Sequence, residues 1–144
     1  MKHNHTIEDY HSYVCSECFY PLEECTCEYE PWELIQIDKG IQSIIRILNE
    51  KGYTTNYCCE GHFSETVKGG EIYISFIYPP ATFPNGWTTK VVNKGYKPVT
   101  SFYYRIKKNS KLVDKQKEYF EEQKEKALAE LLQFVSELPV NSNY

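Results

Sequence analysis

A chain of 144 residues with 15% aromatic residues, 6 cysteines and a formal net charge of -4 makes one ordinary domain with at most a small appendage. Mean hydropathy is low, at -0.57, and no apolar run approaches the ~20 residues of a membrane span. The charge is uneven. Residues 1–33 carry eight acids against the single Lys2, and residues 90–117 carry nine bases against the single Asp114. Overall acidity argues against a general DNA-coating protein, while one face can still be basic.

The first element is residues 1–30, an acidic head without hydrophobic periodicity. It contains Cys15, Cys18, Cys25 and Cys27, a C-x2-C-x6-C-x-C pattern inside thirteen residues. Two thiolates two residues apart sit on a tight knuckle and point at one ion, and a second close pair completes a tetrahedron. Four thiolates in a reducing cell select zinc or iron, so the expected cofactor is Zn2+ in a closed, structural site. The bland rivals are a disulfide-stapled loop or four unrelated buried cysteines. The opening MKHNHTIEDYH has no apolar signal region, so the expected compartment is the cytoplasm, where thiols stay reduced. His3, His5 and His11 are expected in a disordered start.

Pro31-Trp32 is the expected junction, with an α+β domain over residues 31–144. LIQI (34–37) reads as a short strand. Asp38 is positioned to cap a helix carrying Ile41, Ile44, Ile45 and Leu48 on one face and ending at Gly52. Tyr53–Cys58 reads as extended. EIYISFIY (71–78) alternates, with Ile72, Ile74, Phe76 and Tyr78 on one face, and Pro79-Pro80 stops it. TTKVV (88–92) and SFYYRI (101–106) form the predicted antiparallel hairpin. Ser110 is the expected cap of a helix over residues 111–138, a length that would also suit a homodimer contact. The order implies a mixed or antiparallel sheet with helices on one face.

Two stretches carry candidate chemistry beyond the head. TTNYCCEGH (54–62) leaves a strand tip at Gly61, bringing Tyr57, Cys58, Cys59, Glu60 and His62 together. Either thiol with His62 suits part of a metal site, a Cys–His nucleophile or a ligand contact, and the glycine turn suits a phosphate. The rival reading is buried structural cysteine. The basic segment interleaves Lys90, Lys94, Lys97, Arg105, Lys107, Lys108 and Lys111 with Tyr96, Phe102, Tyr103 and Tyr104. Lysines neutralise phosphate and aromatic faces stack on unpaired bases. Lys94, Tyr96, Tyr104 and Arg105 are the ligand-binding candidates there. A hairpin with wet lysines and core aromatics is the alternative.

The stretch IDKGIQSIIRILNEKGYTTNYCCEGHFSE…IYISF resembles a group of small uncharacterised proteins of Gram-positive bacteria and their phages sharing an "ID…I…LN…GY-x-T-x-x-C-C-x-G-H" signature. More distantly, it is similar to the core of the tRNA methyltransferases of wybutosine synthesis, where an apolar helix leads into a strand ending T-x-x-x-C-x-G-R. Thr55, Cys59 and Gly61 match that motif. His62 stands where that family has arginine, and Tyr57 and Cys58 replace two serines, departures that bear on methyl transfer and S-adenosylmethionine binding. The resemblance covers residues 36–78 and implies a fold and a ligand class.

The sequence thus favours a zinc-binding cytoplasmic protein that binds RNA or a nucleotide-like ligand at the strand tip and the basic hairpin. The rivals are a phage-type module that inhibits a host protein and a nucleoside- or RNA-modifying enzyme without an assignable catalytic residue.

Overall fold

The computed structural model describes residues 13–21, 24–27, 34–94 and 97–141, with the side chains of 92–94 and 97 left aside. Alternation and helical periodicity sort the described residues into two antiparallel sheets and two α-helices, an α+β fold. Strand β1 (Tyr13–Cys15) pairs with β2 (Leu34–Gln36), Val14 opposite Ile35. A 3-10 turn over Lys39–Ile41 runs into α1 (Gln42–Glu50). The larger sheet has the order β3-β4-β6-β5, from β3 (Thr55–Cys59), β4 (Gly70–Phe76), β5 (Thr88–Lys94) and β6 (Lys97–Ile106). Helix α2 (Gln116–Glu137) follows.

The period-2 residues of β4 decide which side of this sheet is core. Ile72, Ile74 and Phe76 are fully buried, joined by Phe102 and Ile106 of β6. Onto them α1 presents Ile44, Ile45 and Leu48, while α2 presents Phe120, Ala127, Leu131 and Val135. Each large side chain removed from water there contributes about 1.5–3 kcal/mol. The loop between β4 and β5 closes one end of the core: Phe83 stacks on Phe102 at 4.2 Å and meets Phe134 of α2 at 5.6 Å.

The strand and helix expectations are met with shifted limits. The extended run after α1 pairs at Thr55–Cys59, and Tyr78 lies beyond the end of β4 and is exposed. β6 begins at Lys97 rather than 101, because Pro98 and Val99 continue the ladder opposite Asn93 and Val92. α2 begins at Gln116 rather than 111. Gln116 closes a local loop first, accepting the Asn109 N–H and donating to the Asn109 and Leu112 carbonyls, and Lys115 turns left-handed at φ 62°. Along its 22 residues α2 keeps returning to the core, from Phe120 to Val135.

Two ties fix the ends of these elements. Lys51, just after α1, points its ammonium at the C-terminus of α2 and donates to the carbonyls of Val135, Ser136 and Leu138 at 2.6–2.9 Å. That position complements the helix dipole and satisfies carbonyls the helix leaves open. Tyr53 adds a hydrogen bond from its hydroxyl to the Pro139 carbonyl at 2.7 Å. On the other side, Val14 is fully buried within the same hydrophobic cluster as α1 and β4. The expected junction at Pro31-Trp32 lies outside the described residues; across it, β1 and β2 share a ladder.

Candidate functional site

Three groupings of side chains stand out, and each is built by a different local device. The first is the four-cysteine cluster. Cys15 ends β1, and the chain turns back at once: Phe19 donates to the Cys15 carbonyl at 2.8 Å and adopts φ 61°. Inside this turn the Glu17 N–H points at Cys15 Sγ, 3.4 Å away. The turn carries Cys18, and Cys25 and Cys27 come back beside it. All four sulfurs lie within 4.8 Å of one another, Cys15 to Cys27 at 3.9 Å. A tetrahedron with metal–sulfur bonds of about 2.3 Å has edges of about 3.8 Å, so the arrangement fits a metal ion. The electrostatics agree. Burial works against charge on Cys15, but N–H groups of Cys18 and Glu17 outweigh it and lower the thiol's pKa. Burial and the three neighbouring sulfurs push Cys27 up to about 12. Sulfurs crowded this closely resist sharing negative charge, and a dication relieves that repulsion. All six cysteines of the chain are free thiols.

The second grouping is the strand tip. Strand alternation sends Cys58 toward the core, opposite Ile74, and Cys59 to the other side, opposite Tyr73. The chain then turns at Gly61, whose φ of +96° favours glycine; a Cβ there would press on Ile72 and the Glu71 carbonyl. Asp38 does not cap with its side chain. It reaches across instead: its Oδ2 accepts the Glu60 N–H at 3.0 Å and lies 3.2 Å from His62 Nε2. Glu60 turns toward α2, 3.7 Å from Lys124 Nζ, which also donates to the Gly61 carbonyl at 3.1 Å. His62 stays exposed.

Burial raises the Cys58 thiol to about 12, with the charges of Asp38 and Cys59 adding to it. Cys59 is raised by burial and by Asp38, although the Gly61 N–H opposes this at its sulfur. Reactive cysteines need the reverse, an electropositive setting that favours thiolate, so a thiolate nucleophile at this tip is disfavoured.

The third grouping is the sheet face turned away from the helices. Tyr57, Glu71, Tyr73, Ser75, Lys90, Ser101, Tyr103 and Arg105 line one open groove of about 350 Å³ with Val99. Register explains the set, since Glu71 faces Arg105, Tyr73 faces Tyr103 and Ser75 faces Ser101 across the β4–β6 ladder. The two serine hydroxyls bond at 2.6 Å and form the floor. Arg105 pairs with Glu71 at 3.0 Å and lies 6.0 Å from the Tyr103 ring centre. Exposed pairs of this kind are worth at most about 1 kcal/mol, so the guanidinium can exchange partners.

The predicted site residues therefore divide. Tyr57 and Arg105 line the open face; Cys59 and His62 mark its β3 edge; Cys58 and Glu60 turn inward. Tyr104 faces the helix side and lies against Trp87 at 5.6 Å. The side chain of Lys94 and all of Tyr96 lie outside the described residues. Strand tip and basic hairpin sit at opposite edges of the sheet, so Lys90 reaches the groove from the far side and the lysine nearest the tip is Lys124. Two residues at these sites, Asp38 and Tyr73, are not marked as site residues by the sequence. The alternation that marked Ile72, Ile74 and Phe76 as core also puts Tyr73 on the other face, whereas no local signal carries Asp38 to residues 60–62. Among the described residues no helix is long and apolar enough to cross a membrane. No protein-family model matches the chain, and neither does any curated protein or any solved structure.

Proposed function

We propose that this protein is a zinc-stabilised module that binds single-stranded RNA on the open face of its larger sheet. The observation that carries the reading is the lining of that face: Tyr57, Tyr73 and Tyr103, with Lys90 and Arg105 beside them. Both described helices pack on the other side of the sheet, and the rings of Tyr73 and Tyr103, opposite each other on β4 and β6, offer stacking surfaces worth ~1–3 kcal/mol per unpaired base. Lys90 and Arg105 supply charge for phosphates, and the serine pair offers hydroxyls to base edges or a 2′-hydroxyl. Three strand spacings give the face a width of about 14 Å, enough for two or three nucleotides. Of the two metals that four soft thiolates select, zinc or iron, zinc is our choice because it needs no assembly machinery, and its part is structural, holding the segment that precedes β2. Cys15, Cys18, Cys25 and Cys27 would all be used, leaving no open coordination position.

Fluorescence anisotropy with a labelled 12-nucleotide single-stranded RNA tests this. Binding should weaken as salt rises, and Tyr73→Ala/Tyr103→Ala should cut affinity at least tenfold while the melting temperature stays nearly unchanged. Absence of binding at low salt, or equal binding by the double variant, refutes the reading.

A further inference from the structure

The edge of that open face holds three groups of metal-ligating type drawn from two distant segments. The carboxylate of Asp38, the sulfur of Cys59 and a ring nitrogen of His62 all lie within 4.8 Å of one another. The best-defined edge is the 3.2 Å between Asp38 Oδ2 and His62 Nε2. Oxygen and nitrogen bonds of about 2.0 Å to a tetrahedral zinc ion set that edge at about 3.3 Å. The two edges to sulfur would be about 3.5 Å, inside the 4.8 Å that bounds the three atoms.

Several features hold these groups in place. Cys59 and His62 are spaced C-x2-H around Gly61, the same interval as Cys15 and Cys18, and each pair encloses a tight backbone turn. In each, an N–H two residues on points at the first sulfur, Glu17 to Cys15 and Gly61 to Cys59, both at 3.4 Å. The Glu60 N–H holds the Asp38 carboxylate at 3.0 Å, a supporting contact of the kind that orients metal ligands. Lys124, tied to the Gly61 carbonyl and to Glu60, pins the turn to α2. A plain Asp38–His62 ion pair would explain the 3.2 Å contact but not the thiol beside it.

We propose that Asp38, Cys59 and His62 form a second metal site, for Zn2+ or a divalent ion of like chemistry, with solvent in the fourth position. His62 is 66% exposed, so the fourth direction opens to water. One carboxylate, one thiolate and a neutral imidazole balance a dication, leaving a neutral centre that accepts water or an anionic oxygen. The four-cysteine site is closed by comparison, whereas three protein ligands and one water are the pattern of metal sites that polarise a ligand. Tyr73, opposite Cys59, places the centre at the end of the tyrosine groove. The proposal stands independently of RNA binding.

Cobalt titration of the full chain tests it, with zinc content measured by elemental analysis after gel filtration. Wild type should take two ions, and the second should add about a quarter of the thiolate-to-cobalt absorbance of the first, since one sulfur replaces four. Azide should shift the bands of the second ion only. His62→Ala, an exposed position that leaves the fold intact, should take one ion, while Cys58→Ala should still take two. In a Cys18→Ser/Cys27→Ser background one ion should remain and disappear when His62→Ala is added. Saturation of wild type at one ion that His62→Ala keeps, or two ions retained in His62→Ala, overturns the site. Bands of the second ion that azide leaves unmoved overturn its open position.

Discussion

The two faces of the larger sheet are made by the same strands, residue by residue in alternation, and they are governed by different constraints. On the helix side, Ile72, Ile74, Phe76 and Phe102 are excluded from water and touch neighbours on every side. On the other, Tyr73, Tyr103, Lys90 and Arg105 line a groove open to solvent. The first set is what any two-layer fold requires. The second is only partly so: tyrosine suits a strand and an opposed Tyr73–Tyr103 pair contributes about 0.2–1 kcal/mol, but threonine also suits a wet sheet face. Both described helices lie on the other side of the sheet, so strand pairing accounts for only part of this tyrosine lining, and function is the place to look for the rest.

That contrast can be broken first on the core side, where the largest effects lie. Phe102→Ala should cost about 3–5 kcal/mol and Ile74→Ala about 2–5 kcal/mol in denaturant unfolding, since both leave cavities the surrounding layers cannot fill. Losses below 1 kcal/mol would mean the helix side is not the tightly packed one. Lys51→Met comes next. It removes three hydrogen bonds from the end of α2 and should lower stability by about 1–2 kcal/mol, with amide exchange of residues 132–138 accelerating more than that of the sheet. Uniform acceleration would mean the contact does not act locally. On the open face, Tyr73→Ala should change stability by less than about 1 kcal/mol while weakening RNA binding by ~1–3 kcal/mol. A variant that unfolds instead makes Tyr73 a packing residue. The smallest effect belongs to Arg105→Ala, which should reduce the slope of log affinity against log salt by about 0.7, the share of one phosphate contact on a single strand. An unchanged slope removes Arg105 from the interface.

What could be read from the sequence follows the range of the interaction involved. Period-2 alternation in EIYISFIY and the 3–4 spacing of Ile41, Ile44, Ile45 and Leu48 are local, and the strand and the helix are where they say. The spacing of Cys15, Cys18, Cys25 and Cys27 is local too, and the four sulfurs converge. At Tyr103-Tyr104 alternation requires one ring to leave the core, but only the pairing of Tyr103 with Tyr73 and of Tyr104 with Ile72 decides which. Asp38 was legible as a helix start and illegible as the partner of Glu60 and His62, more than twenty residues on. The late start of α2 was hidden for a related reason: Ser110 has the chemistry of a cap, yet Gln116 binds the backbone of Asn109 and Leu112 and holds the chain in a loop.

The position of α2 in chain order has a consequence for biosynthesis. Phe120, Ala127, Leu131 and Val135 form one wall of the core, and they leave the ribosome after every strand of the sheet has been made. Until then, Ile72, Ile74, Phe76 and Phe102 present an apolar surface on paired strands, the kind of surface that recruits other nascent chains or a chaperone. Lys51, waiting at the end of α1 for the carbonyls of Val135, Ser136 and Leu138, forms its contacts only when that wall arrives. The sheet's exposure to misassembly thus lasts until α2 has been translated and has reached it.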